Sequence, residues 1–334
     1  MNIVFLTRRF APDMGGVETH VLQISKILVS QGHIVTVITQ SQGAPIVDGV
    51  TVIRLPLYPD GKEQKFHVWE WMLEHIHLFF NADVVHCHDV FFWYLPLRFL
   101  LPWKPVYTTF HGYETVFPPE KKAVRLRRVY EYLSWANICV GKYLEKWYGT
   151  KADMLMYGGV TPEQVYPMKK HTGLHIGFVG RLTEDTGLPV YLEALSLMKK
   201  KKIACTFDAF GDGPLKKETQ KYGEAHGFVS DVQKKIADCD IVFAASFQSV
   251  LDAFAQKKYV IIVTQNQLKK DTFSTTPYAK DITLAENAQD ILTAVMTYQK
   301  DPSAYAEKIE KNYQFAQKNS WEEIVKRYHQ LWQK

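Results

Sequence analysis

Several short apolar runs in this 334-residue chain end in residues that can do chemistry. One is Gly177-Phe178-Val179-Gly180-Arg181-Leu182. An arginine leaving a buried strand beside a glycine can fork onto two phosphate oxygens with parallel hydrogen bonds. Taken by itself, Arg181 is better read as a surface ion-pair partner of Glu184 or Asp185. Thr109-Phe110-His111-Gly112 ends another run. There His111 could bond hydroxyl groups or move protons near neutral pH, with a structural histidine as an equal alternative. In His86-Cys87-His88-Asp89 the period of two puts both imidazoles on one face of a strand. Two imidazoles beside a carboxylate could bind zinc, but no further ligand has clear spacing. A polar lining without metal is the preferred reading of His86 and His88.

Two further segments could meet an anion. The loop from Arg8 to Glu18 carries Gly15-Gly16 just before a helical pattern. Free N–H groups and the macrodipole at such a helix start attract negative charge, and a plain flexible turn is the even alternative. The loop lacks a third glycine, and the second apolar run ends Ile38-Thr39-Gln40 without an acid. Both points weigh against a nicotinamide-binding oxidoreductase. Later, Ser246 and Ser249 could cap a helix or bind phosphate, and Asp252 one turn on could face the ligand and take ribose hydroxyls. For Asp252 alone, a charge–dipole contact is the better reading.

These residues need elements to hold them. Short apolar runs alternate with helical stretches: strands near Val4–Thr7, Val35–Thr39, Val52–Leu55, Val84–His88, Val106–Phe110, Ile138–Val140 and Met154–Tyr157. One helix is expected over Glu63–Phe80. No hairpin signal is read between strands, so the expectation is a parallel sheet covered on both faces. Gly158-Gly159 and the polar stretch to Gly173 read as a linker, after which strands recur at His175–Val179, Thr206–Phe210, Asp240–Phe243 and Val260–Val263. The fold class is therefore α/β, with two Rossmann-like doubly wound domains over residues 1–165 and 172–317. Ligands of such sheets bind at strand carboxyl ends, so a cleft between the domains is the expected site.

Composition agrees with a folded protein: 46 % hydrophobic and 22 % charged residues, with a net charge of +5. That charge favours phosphate-bearing ligands and is too small for a nucleic-acid-binding tail. Cys87, Cys139, Cys205 and Cys239 have no paired spacing and read as reduced residues of a cytoplasmic protein. No run is long enough to span a bilayer; the longest, Val90–Leu101, is broken by Pro96 and Arg98.

The ordered set of segments resembles the retaining glycosyltransferases of family 4, with the GT-B fold. The set runs from Gly15-Gly16-Val17-Glu18-Thr19-His20 through His86-Cys87-His88, His111-Gly112, Tyr157-Gly158-Gly159-Val160, Gly180-Arg181-Leu182 and Gly211-Asp212-Gly213-Pro214 to Ser320-Trp321-Glu322-Glu323. The resemblance implies a terminal helix, over 318–334, crossing back to the first domain. It implies that Gly15, Gly16, Gly180, Arg181, Ser246, Ser249 and Asp252 bind a nucleotide-sugar donor. On the same resemblance, His111 and Arg181 would serve catalysis, while Glu18, His86 and His88 would lie on the acceptor side. No metal or cofactor is needed, and UDP or GDP is the expected product.

Two departures from the family pattern stand out. Ala244 occupies the place of the first motif acid, and Thr186 that of a usual lysine beside Arg181. Lys269 and Lys270 could supply a replacement charge, although a solvated surface is the preferred reading of both. Lys121, Lys122, Arg125, Arg127 and Arg128, followed by Tyr130, Tyr132 and Trp135, suit an anionic membrane surface and a lipid-linked or saccharide acceptor. A core helix over Phe91–Trp103 with solvated charges nearby is slightly preferred. Location at the inner membrane face in polysaccharide or glycolipid assembly is the corresponding expectation, with no nucleic-acid partner. The alternatives are a non-catalytic GT-B protein that binds nucleotide or glycan, and a sugar-nucleotide epimerase.

Overall fold

The computed structural model describes residues 1–57, 63–112, 117–162, 165–169 and 171–333. It divides into two units, residues 1–156 with 321–334, and residues 157–320. Each is built on its own sheet.

In the first unit β1 (Asn2–Thr7), β2 (Ile34–Thr39), β3 (Ile46–Val47), β4 (Val50–Arg54), β5 (Val84–His88), β6 (Val106–Phe110), β7 (Ala136–Val140) and β8 (Met154–Met156) form an eight-stranded sheet. The spatial order is β3-β4-β2-β1-β5-β6-β7-β8. Alternate residues of one strand feed opposite faces. Ile3 and Phe5 pack with Val21, Ile24 and Leu28 of helix Gly16–Ser30 and with Ile324, Val325 and Tyr328 of helix Trp321–Trp332. Val4 and Leu6 pack with Phe91, Trp93, Tyr94 and Leu97 of helix Phe91–Leu100 on the other face. The helices on both faces explain the continuous apolar strands.

The second unit orders β9 (Leu174–Val179), β10 (Cys205–Phe210), β11 (Glu224–Gly227), β12 (Ile241–Ala244), β13 (Tyr259–Val263) and β14 (Thr283–Ala285) as β11-β10-β9-β12-β13-β14, all parallel. Strand order reverses between β1 and β5 in one sheet and between β9 and β12 in the other, so ligand crevices belong at those carboxyl ends.

Four expectations from the sequence need correction. β3 and β4 form an antiparallel hairpin. Its turn is Asp48-Gly49, both at positive φ (50° and 82°), the dipeptide favoured by tight hairpins. The helix expected over Glu63–Phe80 breaks at His75 into Gln64–Glu74 and Ile76–Phe80; the His75 ring turns back onto the Trp71 carbonyl and stacks on the Trp71 ring. β11 and β14 are additional short edge strands. The first unit ends at Met156, ahead of the expected boundary at 165, because Val160 is fully buried in the second unit's core and bridges Ser320. Residues 163, 164 and 170 of the expected linker lie outside those described. The last helix begins at Trp321 and belongs to the first unit.

The loops after β9 and β10 stay in contact beyond the strands: Gly180 N–H donates to Phe210 O at 3.2 Å and Leu182 N–H to Asp212 O at 2.9 Å. Gly211, at φ 152°, makes that possible, since a Cβ there would lie 1.9 Å from the Gly180 carbonyl oxygen. Substitution Gly211→Ala should lower the melting temperature of the second unit by several degrees, roughly 2–4 °C per kcal/mol lost. Gly112→Ala, where a Cβ meets nothing within 4 Å, should leave melting unchanged. Calorimetry on both variants checks the contrast.

Candidate functional site

In the second unit, candidate residues gather at the β9/β12 crevice. Arg181 stands two residues past the end of β9, after Gly180; its guanidinium donates to Asp185 Oδ2 at 2.7 Å, and the side chain is 64 % exposed. Asp185 also accepts from Thr183 Oγ1 at 2.5 Å. Thr186 is buried, and its hydroxyl bonds the Thr183 and Arg181 carbonyls at 2.7 and 3.1 Å. Across the crevice, Ser246 caps helix Phe247–Ala255 by accepting from Ser249 N–H. Ser249 is 2 % exposed; its hydroxyl accepts from the Ala245 and Ser246 amides and donates to Ser246 O. It holds the helix start, which corrects the expectation that it bonds phosphate. Asp252 is also buried, with its carboxylate accepting from the Gln233 and Gln248 amides at 3.3–3.4 Å. A ribose taking those oxygens would have to displace one of the two amides. Gln233, which the sequence did not single out, comes from the neighbouring helix Val232–Ile236.

Lys269 corrects another expectation. Asn266 caps helix Gln267–Ser274, which turns the Lys269 ammonium back to the Ala245 carbonyl at 3.1 Å. Burial lowers its pKa; the Asp185 charge opposes that shift and the Arg181 charge adds to it. Lys270 behaves as expected of a surface residue, pairing with Glu286 at 2.6 Å.

In the first unit the β1 and β5 ends meet the N-terminus of helix Gly16–Ser30. Glu18 occupies the first turn and its carboxylate lies against Gly15, where a Cβ would fall 2.4 Å from Oε2. The helix start is therefore faced by the protein's own anion. Four imidazoles pack alongside. His86 and His88 share a face, as their spacing requires, with rings stacked at 4.9 Å. His88 Nδ1 bonds His111 Nε2 at 2.9 Å, and the His20 and His111 rings lie 4.8 Å apart. Asp89, at φ 60°, accepts the His111 backbone N–H at 3.0 Å. One nitrogen each of His20, His88 and His111 lies within 4.8 Å of the others, a set that could hold a transition metal.

The hydrogen-bond directions of the inner histidine are forced. Trp332 Nε1 is donor only and gives its proton to His86 Nδ1 at 3.2 Å. The neutral ring then donates through Nε2 to Thr109 Oγ1 at 2.8 Å; Thr109 meets Tyr328 OH at 3.0 Å, and Tyr328 meets His20 Nε2 at 2.9 Å. His86 is 0 % exposed, so it supports this chain and does not line an acceptor surface. The expected basic surface also loses Arg127. It is buried, stacks 3.8 Å over the Tyr148 ring, and donates to Gly112 O at 2.7 Å, fixing the residue next to His111. His20, Tyr328 and Trp332 were not singled out in the sequence, because their partners lie up to 308 positions away.

A groove of about 480 Å³ in this unit is lined by Arg8, Lys65 and Lys122 together with Phe66, Phe92 and Trp93. The helix Phe91–Leu100 buries Phe91, Trp93, Tyr94 and Leu97, whereas Phe99, Leu100 and Trp103 are exposed, so the core-helix expectation holds for its inner face only. All four cysteines are free, three buried and Cys205 half-buried. No helix among the described residues is long and apolar enough to cross a membrane.

Two Rossmann-like sheets with crevices at their carboxyl ends define the GT-B class of glycosyltransferase. The model of glycosyltransferase family 4 matches residues 14–155, and that of glycosyl transferases group 1 matches residues 173–314. The chain belongs to these family-4, group 1 glycosyltransferases. A glycosyltransferase from Rickettsia africae is similar in fold with a TM-score of 0.77 at 18 % identity, covering 99 % of this chain and 97 % of that one. Anabaena HepE, solved in complex with UDP and glucose, has a TM-score of 0.75 at 15 % identity over 98 % of each chain. In sequence, 99 residues are 30 % identical to one component of human phosphatidylinositol N-acetylglucosaminyltransferase. That match spans 27 % of this chain and only 20 % of the human protein.

Two expectations follow for the histidine chain. Burial pushes the pKa values of His20, His86 and His88 well down and that of His111 down to about 3. Their stabilisation is complete above the unfolded value of 6.5 and is lost as pH falls below it, at up to about 1.4 kcal/mol per pH unit for each ring. The first unit should therefore become steeply acid-labile below pH 6.5, and His111→Asn should reduce the slope in urea melts run from pH 7.5 to 5. Tyr328→Phe removes one of the two partners of Thr109 Oγ1 and leaves His20 Nε2 without its hydroxyl partner, and should cost about 1–3 kcal/mol. Tyr132→Phe, at 87 % exposure, should cost nothing measurable in the same denaturation series.

Proposed function

We propose that the protein transfers a sugar from a nucleotide-sugar donor to a lipid-linked or saccharide acceptor. The observation that carries this is Arg181: a guanidinium at a topological switch point, exposed on a glycine-shaped loop and balanced by the exposed carboxylate of Asp185. Phosphate oxygens can replace that carboxylate bond for bond. Gly180 and the Ser246 cap shape the crevice, and Asp252 takes the ribose once the Gln248 amide yields. On the first unit, Gly15 and Gly16 offer the helix start to a phosphate or acceptor group once the Glu18 carboxylate swings off it. His111, held by His88, lines the donor-sugar site.

Catalysis then rests on positioning and on stabilising the departing diphosphate. It proceeds with retention, the leaving phosphate taking the acceptor's proton, and the donor phosphates need no metal or cofactor. The product is UDP or GDP. The cationic, aromatic groove around Arg8, Lys65, Lys122 and Trp93 suits an amphipathic acceptor bearing negative charge. The exposed stripe Leu126, Val129 and Tyr132 beside Lys122 and Arg125 favours work at an anionic inner membrane face, in polysaccharide or glycolipid assembly.

Ala244 supports a second reading. It is fully buried and supplies no acid, as a degenerate protein that binds nucleotide without turnover would have it. Product analysis separates the two: a sugar nucleotide consumed only with acceptor present supports transfer. Donor altered without acceptor would point to an epimerase.

Thermal melting with UDP, GDP, ADP and NAD tests the donor site. One nucleoside diphosphate at a hundredfold excess over its dissociation constant should add roughly 2.7 kcal/mol. Arg181→Ala should weaken that nucleotide about tenfold or more, in line with loss of a charge-assisted bond. A response to NAD alone, or unchanged affinity in the variant, would contradict the assignment.

A further inference from the structure

The second unit turns inward a cation, Lys269, that the sequence reads preferentially as a solvated surface residue. Ala245 is the residue just past β12, and β12 pairs with β9 through Ala244 and Val179. Gly180 packs so tightly against it that an added Cβ would fall 2.7 Å from the Ala245 methyl. The Ala245 carbonyl therefore marks the wall of the crevice from which Arg181 departs. The Lys269 ammonium is drawn to that carbonyl, with no carboxylate within ion-pair distance among the described residues. A lysine serving only solubility would extend into water, as an ammonium is strongly hydrated. A half-buried one held by a single neutral oxygen keeps donors to spare and carries a desolvation cost that an anion would offset.

The surrounding loops hold this arrangement in place. Asn266 caps the helix that carries Lys269, and Gln265 Nε2 ties the same loop to the Glu184 carbonyl at 3.0 Å. The β13 loop is thereby fastened to the loop bearing Arg181 and Asp185. Thr186 cannot supply charge, and its hydroxyl is spent on the Arg181 and Thr183 carbonyls. The crevice thus brings the cations Arg181 and Lys269 together beside the Asp185 carboxylate.

We propose that Lys269 is a second phosphate-binding cation of the donor site, gripping the diphosphate of the nucleotide-sugar from the β12 side while Arg181 grips it from the β9 side. This rests on the donor-site reading above. Two cations on opposite walls fit a ligand with charge on two phosphoryl groups, so Lys269 should discriminate diphosphates from monophosphates and ignore nucleosides. Lys270, paired with Glu286, plays no part.

The test is calorimetric titration of UDP, GDP and ADP, with the matching monophosphate and nucleoside, into wild type, Lys269→Met, Lys269→Arg and Lys270→Met. Lys269→Met should lose about tenfold or more in diphosphate affinity, less for the monophosphate and nothing for the nucleoside. Lys269→Arg should recover much of the loss, and Lys270→Met should match wild type. Equal diphosphate affinity in wild type and Lys269→Met would overturn the inference while leaving the donor site standing. Failure of wild type to bind any of the three diphosphates would overturn the donor-site reading itself. Should Lys269→Met fail to fold, acylation footprinting of wild type decides the same question. The bound diphosphate should protect Lys269 and leave Lys270 reactive, and equal labelling of Lys269 with and without nucleotide would count against the proposal.

Discussion

The close approach of backbone at Gly180 and Gly211 is the constraint on which the second unit's site depends. A side chain at Gly211 would strike the Gly180 carbonyl, and one at Gly180 would strike Ala245. With both positions bare, the loops leaving β9, β10 and β12 stay in register past the strand ends. Arg181 departs from that register, and the Ala245 carbonyl lies where Lys269 reaches it. The proposed anion site, made of fixed backbone and two tethered cations, would lose little freedom on binding, which is what stabilisation of a departing diphosphate asks of a protein.

The first unit achieves order differently, through a buried polar chain. Trp332 and Tyr328 come from the last helix, yet they set the tautomer of His86 and bond the Thr109 and His20 side chains. Buried polar groups are costly when unpaired and specific when paired, so this chain selects one seating of the terminal helix. It also leaves His88 and His111 as neutral rings in contact, with His111 the half-buried member nearer solvent. A neutral imidazole that must be both donor and acceptor suits hydroxyl recognition better than charge neutralisation.

Much of the architecture was legible because parallel sheets write themselves as short apolar runs between helical stretches. Strand carboxyl ends could then be read off the chain, and with them Arg181, His88 and His111. What failed was short or non-local. β3 spans two residues, and the Asp48-Gly49 turn was a signal overlooked rather than absent. Arg127 looks like its basic neighbours in sequence, and only the Tyr148 ring and the Gly112 carbonyl reveal it as internal. His86, Ser249 and Asp252 were placed on the correct elements, but their burial depends on partners from other elements. Lys269 and Lys270 are adjacent in sequence and opposite in fate, because one turn of helix directs one to the crevice and the other to Glu286.

The most direct test of the central claim is hydrogen–deuterium exchange of the intact protein with and without its tightest nucleoside diphosphate. The account predicts slowed exchange in three stretches of the second unit: 180–187, 245–252 and 266–270. Protection confined to the first unit, or spread evenly along the chain, would contradict a diphosphate site at the β9/β12 crevice.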